Sequence, residues 1–72
     1  MAFTVLLNRA DLVDDLVTSL RRSGCDAHRT GSRACQVVHA DALDEDEART
    51  ELAFFLRVWQ AGHPCTQASL VA

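Results

Sequence analysis

Seventy-two residues leave room for one domain, residues 1–72, built around one small core. A formal net charge of −3 argues against the basic footprint of a nucleic-acid binder, so no such partner is expected. The apolar share is 49% before three glycines are added, and a single small core leaves some of those side chains without a place inside.

Residues 2–7 alternate loosely, with Phe3, Val5 and Leu7 on one side and Thr4 and Leu6 on the other, and read as a central strand. Asn8 or Asp11 is expected to cap the following helix, because both accept hydrogen bonds from free backbone amides. Leu12, Val13, Leu16, Val17 and Leu20 recur at helical spacing, with Asp14, Asp15 and Arg21 on the other face. Gly24 ends that helix, where a left-handed residue is commonly needed.

Cys25 to Arg29 reads as a short strand, Thr30-Gly31-Ser32-Arg33 as a turn eased by Gly31, and Ala34 to Ala40 as the returning strand. The preferred register turns Cys25, Ala27, Cys35 and Val37 inward; a slip of one residue would reverse every side chain. Asp41 and Asp44 to Glu47 open the second helix, with Asp44 and Glu47 spaced as a capping box. Its main buried stripe is Ala48, Leu52, Phe55, Leu56 and Trp59. Phe54, Val58 and Ala61 form a second stripe roughly 100° round the helix. Gly62-His63-Pro64 stops it, and Cys65 to Val71 is the last strand, expected parallel to the first because the helix supplies a crossover.

The order strand, helix, strand, strand, helix, strand resembles the ferredoxin-like βαββαβ sandwich. That resemblance implies an α+β fold in which a four-stranded antiparallel sheet carries two helices on one face. Within that plan, Asn8-Arg9-Ala10-Asp11-Leu12-Val13 followed by Leu20-Arg21-Arg22-Ser23-Gly24-Cys25 resembles the opening of small ACT-type regulatory domains. The resemblance covers about the first third of the chain. It implies a ligand between the Asn8–Leu12 loop and a partner subunit, although the Pro-Gly pair typical of that loop is missing. RNA-recognition modules of the same element order stack bases on central-strand aromatics, and residues 34–40 contain none. Heavy-metal-associated domains carry a CxxC pair where this chain has Asn8 to Asp11.

The sharpest chemical constellation is Cys25, His28, Cys35 and His39, four soft ligands of the kind zinc gathers tetrahedrally. Residues three apart on a strand point to opposite faces, so Cys25 and His28 diverge unless a bulge intervenes, whereas Cys35 and His39 can share a face. Buried cysteine packing as a small hydrophobe is the preferred reading, with no metal or other cofactor. No nucleophile, base and orienting group assemble from the sequence, and no Gly-rich loop cradles phosphate, so an enzyme is not expected.

The surplus hydrophobicity instead defines two surfaces. Leu6, Val38 and Val71 sit among Thr4, Gln36, Gln67 and Ser69 on the outer sheet face, and Phe54 and Val58 project from the second helix. Leu6, Val38, Phe54 and Val58 are the candidate partner-binding residues of a homodimer, since scaffolds below ~70–80 residues often need such support. The expectation is therefore a small dimerising interaction or ligand-sensing module, with a zinc- or thiol-dependent protein as the alternative. Three cysteines without a basic leader segment point to a cytoplasmic chain, and no apolar run is long enough to span a membrane.

Overall fold

A computed structural model describes residues 2–39 and 44–71. The expected strand end Ala40 and the acidic Asp41 lie outside the described residues. The chain is α+β: strand β1 (Ala2–Leu7), helix α1 (Val13–Arg22), strands β2 (Asp26–Gly31) and β3 (Ala34–Val38), helix α2 (Glu45–Ala61) and strand β4 (Ala68–Val71). The sheet is antiparallel throughout, in the order β2-β3-β1-β4. The radius of gyration is 11.0 Å.

The expected parallel pairing of the last strand with the first is wrong. β4 runs antiparallel to β1, pairing Thr4 with Val71 and Leu6 with Ser69. The crossover through α2 makes β4 parallel to β3, not to β1. β1 lies between those two strands and opposes both.

The alternation in β1 decides which face is covered. Phe3, Val5 and Leu7 are buried, as are Cys35 and Val37 on β3 and Ala27 on β2. From α1, Val13, Leu16, Val17 and Leu20 meet them, and from α2, Ala48, Leu52, Leu56 and Trp59, in one continuous cluster. Both helices therefore cover the same sheet face. The expected inward set holds for Ala27, Cys35 and Val37, while Cys25 precedes β2 and packs half-buried against the core.

Helix α1 starts differently from expectation. A 3-10 turn, Ala10–Leu12, precedes it, and Leu12 occupies the N-cap position with no side-chain cap. Asp11 is instead held by a bidentate pair with Arg9 (3.1 and 2.8 Å), and Asn8 reaches the far end of the chain. At its other end Gly24 adopts φ 97°, with Cys25 N–H donating to Leu20 O and Gly24 N–H to Arg21 O, both 3.1 Å. That double closure is the Schellman motif, and it needs a left-handed residue. Helix α2 begins as its capping signal requires, with Asp44 Oδ1 accepting from Glu47 N–H at 2.7 Å.

The β2–β3 hairpin is tighter than the sequence suggests. Gly31 belongs to β2 and pairs with Ala34, so the turn is Ser32-Arg33, and a bulge falls between Arg29 and Gly31. Arg29 stabilises this tip by donating to Gly31 O and Ser32 O, both at 2.9 Å, and lies 3.3 Å from Asp14 on α1.

Candidate interaction surfaces

The register fixes the composition of the outer sheet face. One row across it carries His28, Gln36, Thr4 and Val71, and the neighbouring row carries Ala34, Leu6 and Ser69. Val38 stands beside Ala2 and Asp26 in a third row. Leu6 is 45% and Val71 43% exposed, and Val38 is half-buried. Thus Leu6, Val38 and Val71, all expected on this face, are there. Gln67 falls just before β4.

The second surface lies on α2. Burying Ala48, Leu52, Leu56 and Trp59 turns Phe54 and Val58 to solvent, at 64% and 58% exposure. Phe55, expected in the buried stripe, is only half-buried at its margin. Beside Phe54, a shallow cavity of about 400 Å³ is lined by Arg49, Thr50, Ala53 and Arg57. Arg49 is engaged with Glu45 at 3.2 Å and stands 5.4 Å over the Phe3 ring. Arg57 has no ion pair among the described residues.

On each sheet edge one outward backbone group is met by a side chain from a helix. Leu7 N–H donates to Arg33 O (2.8 Å) and Asn8 N–H to Gln67 O (3.1 Å), so alternate residues of β1 address β3 and β4. By the same alternation, Ala27 directs its backbone groups off the β2 edge, and Ala68 directs its own off the β4 edge. Arg21 Nε on α1 donates to Ala27 O at 2.9 Å, and Gln60 Oε1 on α2 accepts from Ala68 N–H at 3.2 Å. Each contact takes one group out of the row that an added strand would pair with. Sequence reasoning missed both contacts, because the partner carbonyl and amide depend on strand phase rather than on residue type.

The turn leading into β4 forms a polar corner. Asn8 clamps it, its Oδ1 accepting from Gln67 N–H at 2.8 Å and its Nδ2 donating to Cys65 O at 3.3 Å. Cys65 is the one described non-glycine residue with positive φ, 70°. His63 stacks on Trp59 with ring centroids 4.2 Å apart. Its Nδ1 lies 2.8 Å from Trp59 O and its Nε2 3.0 Å from Asp15 Oδ2. Both ring nitrogens therefore face acceptor oxygens, one from Trp59 and one from Asp15. The spacing of Trp59 and His63, four apart, was the available signal for this stack.

The four soft ligands do not converge. Cys35 is buried in the core face, whereas His28, paired with Gln36, stands on the outer face. Burial pushes the Cys35 thiol pKa above its ordinary value, the opposite of what a metal-binding thiolate needs. His39 pairs instead with Glu51 of α2. Among the described residues, no three His, Cys, Asp or Glu gather as a metal site. Cys25 and His28 do share the rim of an open groove of about 600 Å³ along the β2 edge, with Arg21, Asp26 and Val38.

No protein-family model, curated protein or solved structure matches this chain. No helix among the described residues is long and apolar enough to cross a membrane.

Proposed function

We propose that this chain is a ferredoxin-like, non-enzymatic module that works by associating with another copy of itself. The strand order β2-β3-β1-β4, with a helix after β1 and another after β3, supports the ferredoxin-like plan. The observation that carries the functional reading is the grouping of large exposed apolar side chains into two patches, Leu6 with Val71 and Phe54 with Val58. An isolated exposed apolar residue is ordinary, but two clusters on a domain of 4376 Å² are not.

The exposed apolar side chains lie on faces rather than along the sheet edges, where one outward group on each side is already engaged. An ACT-type ligand-sensing role would use the Asn8–Leu12 loop. The polar side chains there are already engaged, Asn8 with the turn before β4 and Arg9 with Asp11. Self-association is therefore the stronger half of the reading. The test is paired substitution: Val38→Glu and Phe54→Glu each place a charge on one surface while sparing the core. At least one is expected to weaken dimerisation about tenfold or more, and an unchanged dissociation constant for both rejects these surfaces.

A further inference from the structure

Resting on the self-association reading, we infer that the two copies exchange β4: the last strand of each chain leaves its own β1 and pairs with β1 of the other. Two independent costs fall on adjacent residues of the turn that joins α2 to β4. Cys65 holds φ 70°, the one described non-glycine residue in the left-handed region. Crowding of Cβ against the backbone disfavours that conformation for a side chain such as cysteine. Thr66, next to it, is 6% exposed, and its hydroxyl meets no hydrogen-bond partner among the described residues. Buried polar groups are ordinarily paired, so this one weighs against the closed turn.

The strand beyond the turn is lightly held. Ala68 and Leu70 are half-buried on the inner face, Ser69 and Val71 are exposed, and none of the four is buried. None of the fully buried core residues comes from β4. The strand also lies at the sheet edge and follows every other element, so its release leaves β2-β3-β1 and both helices in place. Segments with few buried contacts open at the low end of the free-energy range.

A second copy can replace most of what opening removes. In the closed chain β1 pairs Thr4 with Val71 and Leu7 with Ala68. Asn8 Oδ1 accepts from Gln67 N–H, and Gln60 Oε1 accepts from Ala68 N–H. All of these hold residue 67 or a later one, and the other copy presents the same atoms, so exchange re-forms them between chains. The contacts that it does not re-form are confined to the turn. They are Thr66 N–H to His63 O at 3.2 Å and Asn8 Nδ2 to Cys65 O at 3.3 Å, both at the long end of the hydrogen-bond range. His63 precedes the hinge and keeps its contacts with Trp59 and Asp15.

Opening relieves both costs together. Cys65 relaxes into extended backbone, and the Thr66 hydroxyl reaches water. Residues 64 to 67, once extended, span about 13 Å, enough to cross into a neighbouring domain in contact. A short connection under strain is the setting in which exchange competes with closure.

Two engineered cysteines read the exchange directly. Leu6 and Ser69 are register partners on the exposed outer face, at a strand spacing that admits a disulfide. Leu6→Cys and Ser69→Cys are placed in a chain that also carries Cys25→Ala and Cys65→Ser. This chain is equilibrated at about 1 mM and oxidised, and its dimer fraction is run on a denaturing gel without reductant. Exchange predicts covalently linked pairs of chains as the main product. A dimer fraction that yields only single chains overturns exchange and leaves self-association standing. Hinge variants of the otherwise unmodified chain give a second readout. Cys65→Gly relieves the closed turn and is expected to weaken the dimer about tenfold or more, since each dimer holds two hinges. Cys65→Val strains it further and is expected to tighten the dimer. A dissociation constant indifferent to both overturns the hinge. If the unmodified chain never dimerises, the self-association reading fails, and exchange fails with it.

Discussion

His63 on the turn after α2 and Asp15 in the first turn of α1 lie 3.0 Å apart, Nε2 to Oδ2, and join the two helices at one end of the domain. The other ring nitrogen faces Trp59 O, and the ring stacks on the Trp59 indole.

Removing this contact should be felt as stability. His63→Ala loses the partly exposed contact to Asp15 and an aromatic stack, together about 1–2 kcal/mol in urea unfolding. Asp15→Asn loses only the first, about 0.5 kcal/mol. Equal costs for the two would mean that the stack contributes nothing. Trp59 is the only tryptophan in the chain. Its fluorescence should therefore shift in His63→Ala, where the stacked ring is gone.

The cap on the β4 edge makes a second prediction. Gln60 donates through Nε2 to Leu56 O at 3.2 Å and accepts through Oε1 from Ala68 N–H. Gln60→Ala leaves that half-buried amide without its partner, at a cost of about 1 kcal/mol. Hydrogen exchange at Ala68 should accelerate by about fivefold or more, while exchange in the β1–β3 ladder changes only in step with global stability. Exchange at Ala68 that follows the global change alone would show that the amide was never capped.

Helix α2 depends on its first residue outside. Asp44→Ala removes the acceptor for Glu47 N–H and should destabilise the domain by about 1 kcal/mol, with Asp44→Ser recovering most of it.

The Cys35 thiol is 1% exposed, and burial raises its pKa. In the unfolded chain the thiol ionises near its ordinary value of 9.0, while in the folded chain it keeps its proton to higher pH. Its contribution to stability is therefore fully present below that value and declines as pH rises beyond it toward the raised folded value. Cys35→Val should flatten the alkaline limb of the stability curve. A thiol reagent at neutral pH should modify exposed Cys65 first and leave Cys35 unreacted until unfolding. Prompt reaction at Cys35 in the native protein would contradict its burial.

Much of the architecture was legible because strand and helix periods differ. The alternation of Phe3, Val5 and Leu7 and the helical recurrence of Leu16, Leu20, Leu52 and Leu56 each have one physical reading, and the core follows from them. Local signals of fixed geometry also held, among them Gly24 at a helix end and Asp44 before Glu47. What failed depended on long-range partners. Asn8 looked like a helix cap, but it clamps a turn 57 residues away, and nothing near it in sequence announces that. The direction of β4 is set by its relation to β3, so local reasoning about β1 misassigned it.

The candidate surfaces were legible for the same reason as the core. Once Leu52 and Trp59 are buried, helical spacing leaves Phe54 and Val58 no place inside. The edge caps were not legible, and of the His63 corner only the four-residue spacing from Trp59 was, since strand phase and loop path place the rest.

Self-association is the central claim, and sedimentation equilibrium of the unmodified chain from about 1 µM to about 1 mM tests it most directly. The account predicts a mass that rises from one chain toward two across that range and no further, as a closed two-fold interface requires. A mass of one chain at every concentration would contradict it.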